Sequence, residues 1–195
     1  MAEMTIPPLI LGSASPRRQE LMRAAGFTFS IHVSAAEELH DARFSPEELT
    51  ILNALRKAKD IASRHPECLV LGADTLVYLE GEPLGKPADL QDAAHMLKRL
   101  SGRVHRVCTG VGLVRNGVTL GTDAVITQVQ FGTLDDQLIA RYHSLVNPLD
   151  KAGAYGFQQH AEMLQAEIDG PADNVIGLPM DAVKKLLSAH GHYSV

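Results

Sequence analysis

The stretch from Leu9 to Arg18 limits the possible folds more than any other part of this chain, because it predicts a buried strand followed at once by a helix. Leu9-Ile10-Leu11 is an unbroken apolar run, as expected for a strand that is covered on both faces. Ser15 is a good helix cap, and Pro16 suits the first helical position, where a missing N–H costs nothing. Residues 12–14 are small enough for a ligand to approach the backbone closely.

Two arginines, Arg17 and Arg18, fall in the first turn of this helix. The N-terminus of a helix favours anions, so two cations there are unfavourable for the helix alone. We therefore expect a negative group in front of them, and a phosphate chain fits best. A surface turn with two solvated arginines is the alternative. The loop is not a Walker A loop, because no Gly-Lys-Ser/Thr follows.

The composition suits one domain, which we predict to span residues 1–195. The net charge of −5 and the lack of any Lys/Arg run longer than two argue against a nucleic-acid polymer as partner. No apolar run approaches the roughly 20 residues of a membrane span. The first residues show no basic region followed by an apolar one, so we do not expect export. Cys68 and Cys108 form neither a zinc site nor a disulfide framework, which favours the reducing cytoplasm.

Strand and helix patterns are mixed along the chain and predict an α/β fold with a mixed sheet flanked by helices. Ser45-Pro46-Glu47-Glu48 combines a cap, an N1 proline and a capping box, so a helix is expected from there to about Arg64. Asn116-Gly117 is the strongest hairpin signal, between strands over 104–114 and 118–131. Further strands are expected over 27–33, 68–73, 76–79 and 162–168, and further helices over 16–25, 90–100, 134–145 and 180–189, with Asp89 and Thr133 as caps of two of them.

Asp74 is the most informative single residue, because it follows a fully apolar strand. Ligands of open α/β sheets bind beyond the carboxyl ends of the strands. If this strand lies parallel to the first one, Asp74 faces the loop of Arg17 and Arg18. A carboxylate beside a polyphosphate requires a divalent metal between them or a role as a base. The alternative is an aspartate that caps a turn.

Other candidates are weaker. Lys86, in a Gly-Lys-Pro turn, is a phosphate clamp or a solvated lysine. Lys57 lies beside Asn53 and off the apolar stripe of its helix (Ile51, Leu55, Ala58 and Ala62), so it binds phosphate or lies on a solvated face. Glu37 and Glu38 are metal ligands or ordinary surface residues. Tyr155 and Gln158 lie among glycines and either touch a ligand or pack a turn.

Taken together, the motifs resemble the Maf family of nucleoside triphosphate pyrophosphatases. They occur in family order, cover nearly the whole chain, and are specific as a set. The matching segments are Ser13-Ala14-Ser15-Pro16-Arg17-Arg18-Gln19-Glu20-Leu21, Lys57-Ala58, Gly72-Ala73-Asp74-Thr75, Gly85-Lys86-Pro87, Leu100-Ser101-Gly102, Thr109-Gly110-Val111, Asp150-Lys151-Ala152-Gly153-Ala154-Tyr155-Gly156 and Asn174-Val175-Ile176-Gly177-Leu178-Pro179.

The resemblance implies a fold like that of the inosine triphosphate pyrophosphatases, a homodimer, and cleavage of a nucleoside triphosphate to monophosphate and pyrophosphate with Mg or Mn. It makes Asp74 the proton acceptor and a metal ligand, and it makes Glu38 a catalytic residue that helps with the metal or the water. It makes Lys86 the catalytic group that steadies the leaving pyrophosphate. The positions that it assigns to the phosphates are Ser13, Arg17, Arg18, Lys57 and Lys86.

Substrate choice is also implied by the resemblance. Members that act on dTTP and UTP have Arg, Thr and Gln at the positions of Arg17, Thr75 and Gln158, whereas the 7-methyl-GTP branch has Trp, Gln and Glu. This chain matches the first branch at all three. A pyrophosphatase of 7-methyl-GTP or broad specificity is one alternative, and a nucleotide-sensing regulator of cell division and septum formation is another.

The chain departs from the family pattern in three places. Arg56 stands where many members have Glu, Gln159-His160 replaces a Gly, and residues 169–173 differ from the common Gly-Ser form. The first departure removes a helper carboxylate, and the second changes the expected base pocket.

Overall fold

A computed structural model describes residues 6–192 of the chain. The strands are β1 (Leu9–Leu11), β2 (Ser30–Ile31), β3 (Leu69–Leu79), β4 (Glu82–Leu84), β5 (Val104–Arg115), β6 (Val118–Gln130) and β7 (Glu167–Asp169). The helices are α1 (Pro16–Ala24), α2 (Pro46–Ala62), α3 (Leu90–Leu100), α4 (Asp136–Leu145), α5 (Ala172–Ile176) and α6 (Met180–Ser188).

The strands pair in the order β2-β1-β3-β5-β6-β7, with β4 on β3, and the sheet is mixed. β1 is parallel to both β2 and β3, with Ile10 opposite Val70 and Leu11 opposite Leu71, whereas β4 and β7 are antiparallel to their neighbours. The Gly12 N–H donates to the Leu71 carbonyl at 2.8 Å, so the register continues past the end of β1. The predicted α/β class is confirmed, and the parallel pairing of β1 and β3, which was the condition for Asp74 to face the loop after β1, is present.

The chain divides into two compact units. The first comprises residues 1–74, 109–125 and 177–195, and the second comprises residues 75–108 and 126–176. Strands β3, β5 and β6 contribute residues to both, because three of the four divisions fall inside a strand, while the fourth follows α5. The single domain expected over residues 1–195 stays a prediction.

In the first unit, α2 lies unusually close to the sheet because the strands beneath it carry glycines. A Cβ added at Gly72 of β3 would lie 2.1 Å from the Ala54 carbonyl oxygen, and one at Gly110 of β5 would lie 2.5 Å from the Ile51 backbone nitrogen. The α2 helix begins with the expected capping box: Ser45 Oγ accepts from the Glu48 N–H, and Glu48 accepts from the Ser45 N–H. The start of α2 and its distance from the sheet are therefore both set by sequence.

The second unit is built around one apolar cluster beneath α3 and α4. Its fully buried members include Leu97, Leu100, Phe131 and Tyr142. His105, Phe131 and Tyr155 meet edge to face, with ring centroids 4.8 to 5.4 Å apart. The hairpin between β5 and β6 turns at Asn116 and Gly117, whose φ angles of 48° and 75° are those of the predicted tight turn.

Several predicted boundaries were wrong. β3 runs without a break through Asp74, α4 is capped by Asp135 rather than Thr133, and Ser15 precedes α1 without a side-chain capping bond. The strand expected over 27–33 is only two residues long, and that over 162–168 is mostly a 3₁₀ turn, Ala161–Leu164, followed by β7. The short helix α5 was not predicted. Each error lies where a turn or a polar residue competes with a short pattern. Across residues 6–192, none of the helices combines the length and the apolar character that crossing a bilayer would require.

Candidate active site

Asp74 lies in the middle of β3, and its carboxylate is held from one helix. The residue is only 4% exposed. Its Oδ1 accepts from Lys57 Nζ at 2.7 Å, and its Oδ2 accepts from Asn53 Nδ2 at 3.1 Å. Asn53 and Lys57 are one turn apart on α2, so both side chains project from the same face. The glycines under α2 bring that face within reach of the strand.

Burial raises the pKa of the Asp74 carboxyl above its ordinary value, because a charged carboxylate is poorly solvated there. The Lys57 ammonium opposes that rise, and the nearby Glu38 carboxylate adds to it. A buried carboxylate with a raised pKa beside a cation is a typical setting for a general base.

Glu38 approaches the same lysine from the loop between β2 and α2. Its Oε1 accepts from Lys57 Nζ at 2.5 Å, and its side chain is 36% exposed. One ammonium therefore holds two carboxylates, one buried and one open to solvent. The alternative that Lys57 lies on a solvated helix face is wrong, because its side chain is only 16% exposed.

The loop that carries Glu38 is fastened to α2 by further contacts. Asn53 Oδ1 accepts from the Leu39 N–H at 2.7 Å, and Asn53 Nδ2 donates to the Leu39 carbonyl at 3.2 Å. Arg56 Nε donates to the Glu37 carbonyl at 3.1 Å. Arg56, which stands where many relatives of the resembled family have Glu, thus holds the loop backbone. The Glu37 carboxylate is not part of the Lys57 cluster.

Arg18 joins three segments of the chain: the loop after β1, strand β3 and the connection between α5 and α6. Its Nη1 donates to the Ala73 carbonyl at 2.9 Å and to Ser13 Oγ at 3.2 Å, and its Nε donates to the Gly177 carbonyl at 2.7 Å. Burial lowers the pKa of Arg18, and the nearby Asp74 opposes that change. A guanidinium cannot be deprotonated in proteins, so Arg18 stays charged. Its contacts show that it fixes the loop after β1.

The first unit therefore brings together Ser13, Arg18, Glu38, Lys57 and Asp74. Arg17 is next to Arg18 on α1 and half-buried, and its positive charge acts on the Arg18 guanidinium. Two cations and two carboxylates converge at the carboxyl end of β1 and on β3. Their roles in binding phosphate stay predictions.

The donor set in this cluster suits a hard divalent cation. Glu38 and Asp74 offer carboxylate oxygens that already share one positive charge, that of Lys57. Among residues 6–192, no group of three or more His, Cys, Asp or Glu side chains forms a complete metal cage. Mg²⁺ is usually bound by one or two carboxylates, with substrate phosphates and water as its other ligands. The residues present fit that pattern.

Three predicted residues belong to the second unit. Thr75 is partly buried on β3, and Lys86 is exposed in the loop after β4. Gln158 is exposed in a turn in which the Gln159 N–H donates to the Gly156 carbonyl at 3.0 Å. Their roles toward a substrate stay predictions from the resemblance.

Asn53 is the site residue that sequence reasoning missed. It is 1% exposed and makes hydrogen bonds both to Asp74 and to the loop that carries Glu38. The available signal was its position, one helical turn before Lys57. A polar amide at a position that faces a sheet requires partners when it is buried.

Comparisons with known proteins agree along nearly the whole chain. A "dTTP/UTP pyrophosphatase" of Akkermansia muciniphila is 49% identical over 187 residues, which are 96% of this chain and 98% of that protein. A protein of the same name from Symbiobacterium thermophilum is 47% identical over 184 residues, or 94% of each chain.

The solved structures match less well. A HAM1 protein from Coxiella burnetii is 16% identical, with a TM-score of 0.47, over 64% of this chain and 73% of the other. Assignment therefore rests on sequence, where the model of the family described as "Maf-like protein" matches residues 8–190. Because that match and the two relatives span nearly all of it, the chain belongs to the Maf-like protein family.

Proposed function

We propose that this chain is a nucleoside triphosphate pyrophosphatase that hydrolyses dTTP and UTP to the monophosphate and pyrophosphate. The observation that carries the proposal is the buried Asp74 carboxylate, which lies 2.7 Å from Lys57 and next to Ala73, whose carbonyl accepts from Arg18 of α1. Relatives that share the name "dTTP/UTP pyrophosphatase" over more than nine-tenths of both chains support the substrate.

Asp74 acts as the proton acceptor in this proposal. A water oxygen bonds to the α-phosphorus, the bond from that phosphorus to the bridging oxygen breaks, and the water proton passes to the Asp74 carboxylate. Lys57 and Asn53 each hold one carboxylate oxygen, so the base is oriented before the substrate binds. Such preorganisation lowers the cost of reaching the reactive geometry.

The phosphates are bound by Ser13, Arg17, Arg18, Lys57 and Lys86. The contacts of Arg18 in the first unit support this phosphate site. Arg18 donates to the Ser13 hydroxyl and to the Ala73 carbonyl, and so fixes the loop after β1 against β3. Lys86 steadies the leaving pyrophosphate. Gln158, whose amide both donates and accepts, reads the paired edge of thymine or uracil together with Thr75.

Glu38 and Asp74 would hold a Mg or Mn ion. When bound, the ion neutralises charge on the phosphate oxygens. Lys57 balances the two carboxylates until then, and its four-carbon side chain can turn toward a phosphate. The proposal also includes a cytoplasmic location, which the two buried free thiols Cys68 and Cys108 support. It includes a homodimer, which light scattering on the purified chain would test.

A screen of nucleoside triphosphates tests the proposal directly. Pyrophosphate release is expected to be fastest with dTTP and UTP, in step with formation of dTMP and UMP, because the glutamine amide complements a pyrimidine imide edge. Release of inorganic phosphate instead of pyrophosphate would contradict the reaction. A preference for 7-methyl-GTP or for purines would contradict the substrate but not the reaction.

Chelation tests the divalent cation. Activity on dTTP is expected to vanish in excess EDTA and to return when Mg²⁺ or Mn²⁺ is added beyond the chelator, because a triphosphate is otherwise repelled by Glu38 and Asp74. Pyrophosphate release is the measurement, and a thermal melt in EDTA serves as the control for unfolding. Full activity in EDTA would count against the metal.

A further inference from the structure

The exposed Gln158 sits in a turn whose first residue, Gly156, is held by one side chain of α4. The Gly156 N–H donates to the Tyr142 hydroxyl at 3.0 Å, and that hydroxyl donates to the Gly156 carbonyl at 3.3 Å. The same carbonyl accepts from the Gln159 N–H at 3.0 Å, which closes the turn over residues 156–159. Gln158 is the third residue of this turn, so its place depends on where Gly156 and the hydrogen bond that closes the turn lie.

The segment that leads into the turn has a backbone that requires support. Gly153 and Ala154 both have positive φ, 70° and 63°, and such a conformation is unfavourable for alanine. His143, the next residue of α4, has Nε2 3.3 Å from the Ala154 carbonyl. Two neighbouring residues of α4, Tyr142 and His143, therefore contact the backbone of the segment just before Gln158, at Gly156 and Ala154.

Tyr142 has no exposed surface, so its hydroxyl is not available to a substrate. Burying a hydroxyl without partners is costly, and here both of its bonds go to one residue of the turn. The ring packs in the apolar core of the second unit, whereas the oxygen fixes the turn. The aromatic ring and the hydroxyl thus have separable roles.

We infer that Tyr142 is a positioning residue for base selection: its hydroxyl fixes Gly156 and so sets the place of the Gln158 amide. The inference rests on the proposed function and deepens it. A substrate hydrogen bond made by Gln158 requires the amide at a defined point, because hydrogen bonds weaken steeply with distance and angle. Loss of the Tyr142 hydroxyl leaves the turn free to shift while the core stays filled.

Tyr142→Phe is the test, because it removes both bonds and keeps the ring. We expect the ratio of kcat/KM for dTTP to that for CTP to fall about tenfold, the equivalent of one well-made hydrogen bond. The loss should lie in KM for dTTP more than in kcat, since Asp74 and Lys57 are untouched. In hydrogen exchange, the amides of Gly156 and Gln159 should lose protection.

The matched control is Thr127→Val, which also deletes a buried hydroxyl of the second unit. Thr127 Oγ1 donates to the Pro171 carbonyl at 2.9 Å and accepts from Asn174 Nδ2 at 3.0 Å. Both variants should lose similar thermal stability, but only Tyr142→Phe should lose base selectivity. An unchanged dTTP/CTP ratio in Tyr142→Phe, or an equal loss in Thr127→Val, would overturn the inference.

Gln158→Glu separates this inference from the function on which it rests. If Gln158→Glu lowers dTTP selectivity and Tyr142→Phe does not, the positioning role is wrong and base reading by Gln158 stands. If neither variant changes selectivity, both ideas about Gln158 fail. In each case pyrophosphate release by the unmodified chain still decides the proposed reaction.

Discussion

Replacing Asp74 with asparagine is expected to lower kcat for dTTP about 10³-fold, the usual contribution of a positioned general base. Asparagine has nearly the same shape, and its one oxygen can still accept from Lys57, but its NH2 group can neither accept from Asn53 nor take a proton at neutral pH. Lys57 keeps its second partner, Glu38, so the cluster should stay assembled. Pyrophosphate release under saturating dTTP measures the loss, and calorimetry measures dTTP binding, which should survive.

The matched control is Asp135→Asn, which makes the same chemical change at the cap of α4. Asp135 accepts from the Leu138 N–H at 2.8 Å, and asparagine caps a helix about as well. Its kcat should equal that of the unmodified chain. Should Asp74→Asn turn over dTTP at the full rate, the nucleotide sensor becomes the better hypothesis, because a sensor requires the cations but no proton acceptor.

Gly72→Ala is expected to destabilise the chain by about 3 kcal/mol, at the upper end for overpacking. The new Cβ would lie 2.1 Å from the Ala54 carbonyl oxygen and 3.0 Å from the Ala54 carbonyl carbon, and neither backbone atom can turn aside. The melting temperature should fall by roughly 10 °C for a chain of this size. Because α2 must move away from β3, the Lys57 to Asp74 contact should also loosen, and kcat should fall with stability.

Gly85→Ala provides the comparison for that experiment. A Cβ at Gly85 meets nothing within 4 Å, and the residue is not among those with positive φ. Its effect on stability should stay within about 0.5 kcal/mol, as for most surface substitutions. Equal melting temperatures for the two variants would mean that close packing of α2 on the strand is not required.

Local chemistry is the reason that much of the fold could be predicted from the sequence. Three local features were predictable without knowledge of the tertiary structure, because each depends on only a few neighbouring residues. They are the capping box at Ser45, the turn at Asn116-Gly117 and the apolar run of β1. β3 was broken at Asp74 in the prediction because a charged residue inside a strand is unfavourable unless it has partners. Those partners, Asn53 and Lys57, come from a segment 17 to 21 residues away.

The candidate site could be predicted only in part for the same reason. Asp74 is indicated because it follows an apolar run, whereas the helix pattern leaves Lys57 either on a solvated face or at a phosphate, and only the resemblance to the family favours the second. Asn53 makes two hydrogen bonds to Leu39, and Tyr142 makes two to Gly156. Neither pair was predictable, since both residues fall at helix positions that ordinarily face the core. Periodicity identifies which side chains are buried, but not which buried polar atoms find each other.

The guanidinium that joins Ser13, Ala73 and Gly177 also sets an order of events during synthesis. Arg18 and Gly177 are separated by 159 residues. While the ribosome is still making the chain, β1, the loop after it and α1 already exist, but the Gly177 carbonyl that accepts from Arg18 does not. Contacts of such long sequence separation form late and slow the folding of a domain. The loop after β1 therefore gains its contact with Gly177 only after most of the protein has been translated.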